Sequence, residues 1–336
     1  MLSTEKLCSL NAVSGNENEV SDYLKKYLKD FTDNVYVDDM GNVIADINND
    51  SDVNIMLEAH MDQIGLVVRE IDKNGFIKFT CSGGIDSSIL PTAEVTVHGK
   101  KNIYGVIGAK PPHLQTKEDS EKKNDSENMY IDSGFSFEEL KDIVKIGDTI
   151  SLVSDYKYLK NNYVSSGSLD NRIGVYVISE CMKRLKDKNI PYNITALYSV
   201  QEEVGCRGAI IGTERIKPDI AIIVDVTFGI SPYNDDEHGF ETDKGITVAV
   251  GPNINRQLSE KFISNCNSIN IFAEKEVCGG NTGTDAWPIQ IMNEGVQCIL
   301  VSVPIKYMHT TVETASTKDI DDAVDAICSA IEGGIF

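Results

Sequence analysis

Three short apolar runs constrain this chain more than any other feature, because each one ends in acidic or histidine residues. Val53 to Leu57 runs into Glu58-Ala59-His60-Met61-Asp62. Ile194 to Val200 runs into Gln201-Glu202-Glu203, and Ile220 to Val224 runs into Asp225. Apolar runs of this length suit strands buried on both faces. Helical spacing lies around them. Val20, Leu24, Tyr27, Leu28 and Phe31 mark one helix, which Ser14-Gly15-Asn16-Glu17 is expected to open as a capping box. Ile173, Val177, Cys181 and Leu185 mark a second, and Ile320, Val324, Ile327 and Ile331 a last one. Strands alternating with helices predict an α/β sheet.

The stretch from about Leu66 to Tyr163 has little helical periodicity. Asn74-Gly75 between Val/Ile/Phe-rich runs is a hairpin signal. Phe76 to Phe79, Glu94 to Val97 and Ile103 to Ile107 read as short strands punctuated by Gly and Pro. Residues 66–163 are therefore expected to form a small β domain inserted into an α/β domain made of 1–65 and 164–336. Lys117 to Asn128 has no aliphatic or aromatic residue and is expected to be a mobile loop. A chain of 336 residues has a prior of roughly two domains, and an insertion satisfies it.

Charge narrows the partners. The chain has 31 Lys and Arg against 52 Asp and Glu, a formal charge of −21. That balance argues against nucleic acid and against an anionic membrane surface. No apolar stretch approaches the roughly 18 residues of a membrane span. Glu5 and Lys6 interrupt the region where a signal peptide would be apolar, so a cytoplasmic location is expected. The eight cysteines contain no CxxC pair and are expected to be buried reduced thiols.

Carboxylates and imidazoles at the ends of apolar runs occupy the places where open α/β sheets put their sites. His60 and Asp62 follow the first run, Glu202 and Glu203 the second, and Asp225 ends the third. Asp170 lies in SGSLDNRIG before a helix, and His309 in VPIKYMHTTVE after the run Ile299 to Val303. Any one of these alone is more simply a cap, a turn or an exposed side chain. Together they offer two His, two Asp and one Glu, a mixed nitrogen and oxygen set that suits zinc, cobalt or manganese. Five ligands are too many for one four-coordinate ion with an open position. They are enough for two ions if one carboxylate bridges. His98, His113 and His238 lie in turn-like or acidic contexts and read as non-ligands.

LEAHMDQIG, SLDNRIG, VQEEVGCRGA, VDVTF, GGNTGTDA and YMHTTVE follow one another in an order and spacing that resembles the tetrahedral aminopeptidases. That family also includes glutamyl and deblocking aminopeptidases, all cocatalytic metallopeptidases. The resemblance covers nearly the whole chain from Ser14 onward. It implies a mixed sheet flanked by helices, like that of zinc exopeptidases, with a small barrel-like insertion that builds dimers. It implies that His60 and Asp225 hold one divalent ion, Glu203 and His309 a second, and that Asp170 bridges them. Glu202 would be the general base for a metal-activated water, and Asp62 would orient His60. A glutamate bound to a cation is a poor base, whereas a free neighbour can take a proton, which fits that division of the pair. Substrates would be peptides with a free N-terminus, and the assembly a tetrahedral dodecamer. Gly279 to Ala286 would form a substrate-pocket loop, and Lys117 to Asn128 would restrict access. Gln63, Asn171 and Lys306 stand where the family usually has Glu, Asp and Arg. Two alternatives remain: a related two-metal deacetylase or carboxypeptidase, and a member carrying an endoglucanase label.

Overall fold

The computed structural model describes residues 2–47, 50–110, 126–234 and 239–336. Among the described residues, seventeen strands follow in chain order. They are β1 (Val35–Val37), β2 (Val43–Ile47), β3 (Asn54–His60), β4 (Gly65–Ile71), β5 (Ile77–Ser82), β6 (Glu94–His98), β7 (Asn102–Gly108), β8 (Tyr130–Asp132) and β9 (Thr149–Leu152). After them come β10 (Lys157–Tyr158), β11 (Tyr163–Ser166), β12 (Asn193–Ser199), β13 (Ile220–Phe228), β14 (Ile246–Val250), β15 (Ala273–Val277), β16 (Gln297–Lys306) and β17 (Glu313–Ser316).

Eleven strands build one mixed sheet in the order β1-β2-β12-β3-β13-β16-β17-β11-β10, with β14 and β15 branching from β16. Its centre, β12-β3-β13-β16, is parallel. The three apolar runs are β3, β12 and β13, and the structure shows why they are apolar throughout. Ile55, Leu57 and Ala59 of β3 face one hydrophobic cluster, while Met56 faces another on the opposite side. The first cluster lies under the helices Asn18–Leu28, Leu169–Leu185, Arg256–Ser268 and Thr317–Glu332, and the second under Arg207–Ile216 and Ala286–Ile289. A strand covered on both faces has no solvated side to carry polar residues.

The strands β4-β5-β8-β7-β6-β9 close into a small barrel with its own apolar core, including Leu66, Phe79, Val97, Ile107, Ile131 and Ile150. Asn74-Gly75 turns the hairpin between β4 and β5. Gly75 sits at φ +94°, and the Asp72 side chain accepts from the Asn74 and Phe76 amides. Lys157–Tyr158 pairs with β11 in the large sheet. Ser126–Asn128 makes a single 3-10 turn, whereas residues 117–125 of the expected loop, with His113 and His238, lie outside the described residues.

Two expectations need correction. Ser14 does not cap the first long helix. That helix starts at Asn18 with Glu17 at its N-cap and no side-chain cap, and the Ser14 hydroxyl donates to Asp62 Oδ2 at 2.6 Å instead. The cysteines are all free thiols, but only Cys181, Cys266, Cys298 and Cys328 are buried; the other four are half-buried.

Candidate metal centre

The parallel register gathers the polar strand ends at one place. Ser199 at the end of β12 lies level with His60 at the end of β3. On the other side of β3, Ile223 of β13 pairs with Glu58, so two residues further along Asp225 comes level with His60. Chain emerging from β12 delivers Glu202 and Glu203 to the same rim. The start of the helix Leu169–Leu185 brings Asp170 across, and the turn between β16 and β17 brings His309. This is the carboxyl edge of the parallel strands, the usual site location in such sheets.

Asp170 stands at the middle. Its Oδ1 lies 3.2 Å from His60 Nε2 and its Oδ2 lies 3.3 Å from His309 Nε2. His60 Nε2 is also 3.9 Å from Asp225 Oδ1, and His309 Nε2 is 3.6 Å from Glu203 Oε2. Two donor groups, His60-Asp170-Asp225 and Asp170-Glu203-His309, share the Asp170 carboxylate, and a third, Glu202-Cys206-Asp285, lies beside them. Tetrahedral ligands each 2.0–2.1 Å from an ion stand about 3.4 Å apart, so these separations fit cation binding. Glu202 lies at the edge of the first group, with Oε2 3.9 Å from His60 Nε2. All seven residues singled out in the sequence therefore meet here.

Electrostatics point the same way. Burial pushes Glu202 up to about 9, with help from nearby carboxylates, although His60 opposes this. Burial likewise raises Glu203 to about 7 and Asp225 well above the carboxylate range. His309 is raised to about 10, chiefly by its hydrogen bond to Asp170. Burial opposes protonation of His60, yet Asp170 and Asp62 raise its pKa well above the ordinary histidine value. A half-enclosed cluster of mutually repelling carboxylates that pulls protons onto itself is short of positive charge. Divalent cations would supply that charge, so the residues present fit such ions.

Supporting contacts hold each of these side chains in place. Asp62, fully buried, accepts from the backbone amides of Glu202 and Glu203 at 2.9 and 3.2 Å. Its Oδ1 also faces His60 Nδ1 at 3.4 Å. One carboxylate therefore ties the end of β3 to the turn after β12. Glu313 does the same job on the other side, accepting from the Asp170 amide at 3.1 Å and the His309 amide at 2.8 Å. Glu313 is buried and was not singled out in the sequence, although it closes the YMHTTVE segment. Arg172 was missed as well. It is fully buried and donates to the carbonyls of Met61, Leu7 and Leu10 and to Gln63 Oε1. The Gln63 side chain thus meets a guanidinium beside the turn that follows His60. Glu58, Ser199 and Asp285 form a further buried set behind His60, with the Ser199 hydroxyl 2.7 Å from Glu58 and 2.9 Å from Asp285. Asn171 is held by its own contacts, donating to Val224 O and accepting from the Gly174 amide.

The barrel also reaches the site. The carbonyl of Gly84, just past β5, accepts from His309 Nδ1 at 2.9 Å, which leaves Nε2 toward Asp170. A Cβ at Gly84 would lie 2.9 Å from His309 Nδ1, closer than real contacts allow. Gly84→Ala is therefore expected to push the ring aside. If the Asp170-Glu203-His309 group binds a divalent ion, the affinity should fall by roughly 10- to 100-fold, the usual cost of losing a ligand's support. A metal titration followed by calorimetry would check this.

Comparison with known proteins agrees with this geometry. The family model described as M42 glutamyl aminopeptidase matches residues 41–325. A lysyl aminopeptidase of Pyrococcus furiosus is 34% identical over 333 residues, covering 98% of this chain and 95% of its own. The structure of a TET aminopeptidase from a marine-sediment Thaumarchaeota archaeon is similar with a TM-score of 0.92 at 28% identity, over 98% of this chain and 95% of that one. A Pyrococcus horikoshii TET1 peptidase, which can assemble into a tetrahedron or a large octahedral shell, has a TM-score of 0.86 at 31% identity over 97% of each chain. Matched from end to end in sequence and in fold, this chain is a peptidase of the M42 glutamyl aminopeptidase family.

Proposed function

We propose that the protein is a metal-dependent aminopeptidase that removes residues from the free N-terminus of peptides with the help of two divalent ions. The observation that carries this reading is Asp170, whose two oxygens face two imidazoles on opposite sides. His60, Asp170 and Asp225 would hold one ion, and Asp170, Glu203 and His309 the other. The donor set suits zinc, with cobalt and manganese as further choices. When bound, such ions supply Lewis-acid charge, which makes water acidic near neutrality and polarises the scissile carbonyl.

The chain's own residues do the remaining work. Glu202 belongs to neither of these two trios, standing instead with Cys206 and Asp285, and from beside the ligand groups its carboxylate would take a proton from the attacking water. The same proton then goes to the departing amine, leaving a free amino acid and a shortened peptide. Asp62 keeps this base in register with His60 by gripping the Glu202 amide. Thr282, Gly283 and Thr284 of the Gly279–Ala286 segment line a cavity of about 390 Å³ next to the ligands, as a substrate-pocket loop would.

The cavity wall separates the alternatives. Among the described residues, it contains no Lys or Arg. The wall thus offers no Lys or Arg to fix a peptide's C-terminal carboxylate, whereas Glu276 beside the ligand groups could receive an N-terminal ammonium, which disfavours a carboxypeptidase. A glycosidase needs two carboxyl groups flanking the bond, but here the carboxylates are gathered around imidazoles. We further propose that the barrel is the dimer-building insertion and that the chain forms a closed homo-oligomer. This rests on the assembly of the similar TET1 peptidase and on the exposed Tyr104, Val106 and Tyr130 of β7 and β8.

The test is a panel of aminoacyl chromogenic substrates, with N-acetylated controls, before and after chelation. Chelation should lower activity by at least about 100-fold, zinc, cobalt or manganese should restore it, and blocked substrates should stay intact. Hydrolysis that survives complete metal removal, or equal cleavage of blocked substrates, would overturn the reading.

A further inference from the structure

The cavity beside the ligand cluster has one polar wall that cation binding does not explain. Side chains alternate across a strand, so Asp225 and Thr227 of β13 share a face. Ser302 of β16 is level with Asp225, and Thr247 of β14 is level with Ser302. On the next strand, β15, Glu276 reaches back over them. A polar stripe therefore crosses four strands, although the neighbours Val224, Val226, Val248, Val301 and Val303 are buried and apolar. The stripe ends at a carboxylate. Glu276 Oε1 accepts from Thr227 Oγ1 at 2.8 Å and Oε2 accepts from Thr247 Oγ1 at 2.9 Å. Both threonines are buried, so the carboxylate is fixed from behind, and Glu276 is part of the lining of the substrate cavity.

What this carboxylate lacks is a cation. Burial raises its pKa and the two hydroxyls lower it; no Lys, Arg or His acts on it among the described residues. Each oxygen has accepted one hydrogen bond and has capacity for another. Glu276 is half-buried, and a carboxylate in such a place held only by neutral donors is stabilised when a ligand brings the opposite charge. Leu300, Phe228 and Met308 line the same cavity and offer apolar surface. A side chain with an aliphatic stem and a cationic tip matches that combination.

We propose that Glu276 makes this peptidase select Lys or Arg at the substrate's N-terminus. The proposal rests on the aminopeptidase reading above and adds the identity of the residue removed. The ammonium or guanidinium of that residue would meet Glu276, and its stem would lie along the apolar wall. An acidic residue would meet like charge, and a leucine would leave the carboxylate uncompensated.

The experiment compares Lys, Arg, Leu and Glu aminoacyl anilides on the metal-loaded protein, with wild type and Glu276→Gln side by side. Wild type should favour Lys over Leu by at least about tenfold in kcat/KM. Glu276→Gln should lower the Lys-to-Leu ratio by roughly 10- to 100-fold, the range of a charge-assisted hydrogen bond. A second measurement needs no variant. L-lysine should inhibit wild type at least about tenfold more tightly than L-norleucine, which has the same stem without the ammonium. An unchanged ratio in a folded, metal-loaded Glu276→Gln, or norleucine binding as well as lysine, would overturn the proposal. If that variant does not fold, the inhibitor comparison decides alone. Cleavage of Leu substrates without basic preference sinks only this proposal. Failure to cleave any free N-terminus sinks the aminopeptidase reading beneath it.

Discussion

Asp170→Ala is expected to cost the protein both ions and at least about 10⁴-fold in kcat/KM, the largest loss of any single change at this site. The reason is its position between the two donor groups. Removing His309 would leave His60, Asp170 and Asp225 together, and removing Asp225 would leave Asp170, Glu203 and His309. Removing Asp170 leaves each side with two protein ligands and an imidazole whose partner at 3.2 or 3.3 Å is gone. The measurement is metal content after gel filtration, alongside activity. Wild type should hold two ions per chain, His309→Ala about one, and Asp170→Ala fewer than one. Asp170→Asn should fall between the last two, because the amide oxygen can still face one side while its nitrogen cannot bind a cation. A variant Asp170→Ala that keeps two ions would show that the two groups do not depend on a shared ligand.

Much of this site was legible in the sequence because its residues follow from strand ends. His60 and Asp225 sit where apolar runs stop, and a parallel sheet brings such ends together. What the sequence did not show was the packing that aims them. Glu313, Arg172 and Gly84 carry no local signal: a Glu after a turn, an Arg inside a helix and a Gly in a Gly-Gly pair are ordinary in sequence. Their roles come from long-range contacts, such as Gly84 to His309 across 225 positions and Arg172 to Met61 across 111. The capping-box expectation at Ser14 failed for the same reason. Glu17, not Ser14, takes the N-cap position, and the Ser14 hydroxyl goes to Asp62, 48 positions away. Glu276 shows a third kind of illegibility. In AEKEV it alternates with exposed neighbours and reads as one more surface charge, and only the threonines of β13 and β14 reveal that it faces inward.

Under the proposed roles, Glu202→Gln is expected to separate catalysis from metal binding. The two adjacent glutamates leave the end of β12 in different directions. Glu203 turns its Oε2 toward His309, at 3.6 Å, and belongs to the second donor trio. Glu202 lies 3.9 Å from His60 and instead shares a group with Cys206 and Asp285, with the Cys206 thiol 3.7 Å from its Oε1. Its backbone is fixed by Asp62 whatever its side chain carries, so a glutamine should occupy the same place. That amide cannot accept and return a proton in the pH range of the reaction. Under the proposed assignment, Glu202→Gln keeps both ions and a KM within a few-fold of wild type, while kcat falls by roughly 10²- to 10⁴-fold. Glu203→Gln should behave oppositely and lose the ion on the His309 side. Atomic absorption on both purified variants, set beside their kinetics, reads the difference directly. If Glu202→Gln lost an ion and Glu203→Gln kept two with a depressed kcat, the roles of the pair would be exchanged. If neither changed kcat, proton transfer in this enzyme would have to run through a group other than this pair, and the buried carboxyls Glu58 and Asp285 behind His60 would be the next to test.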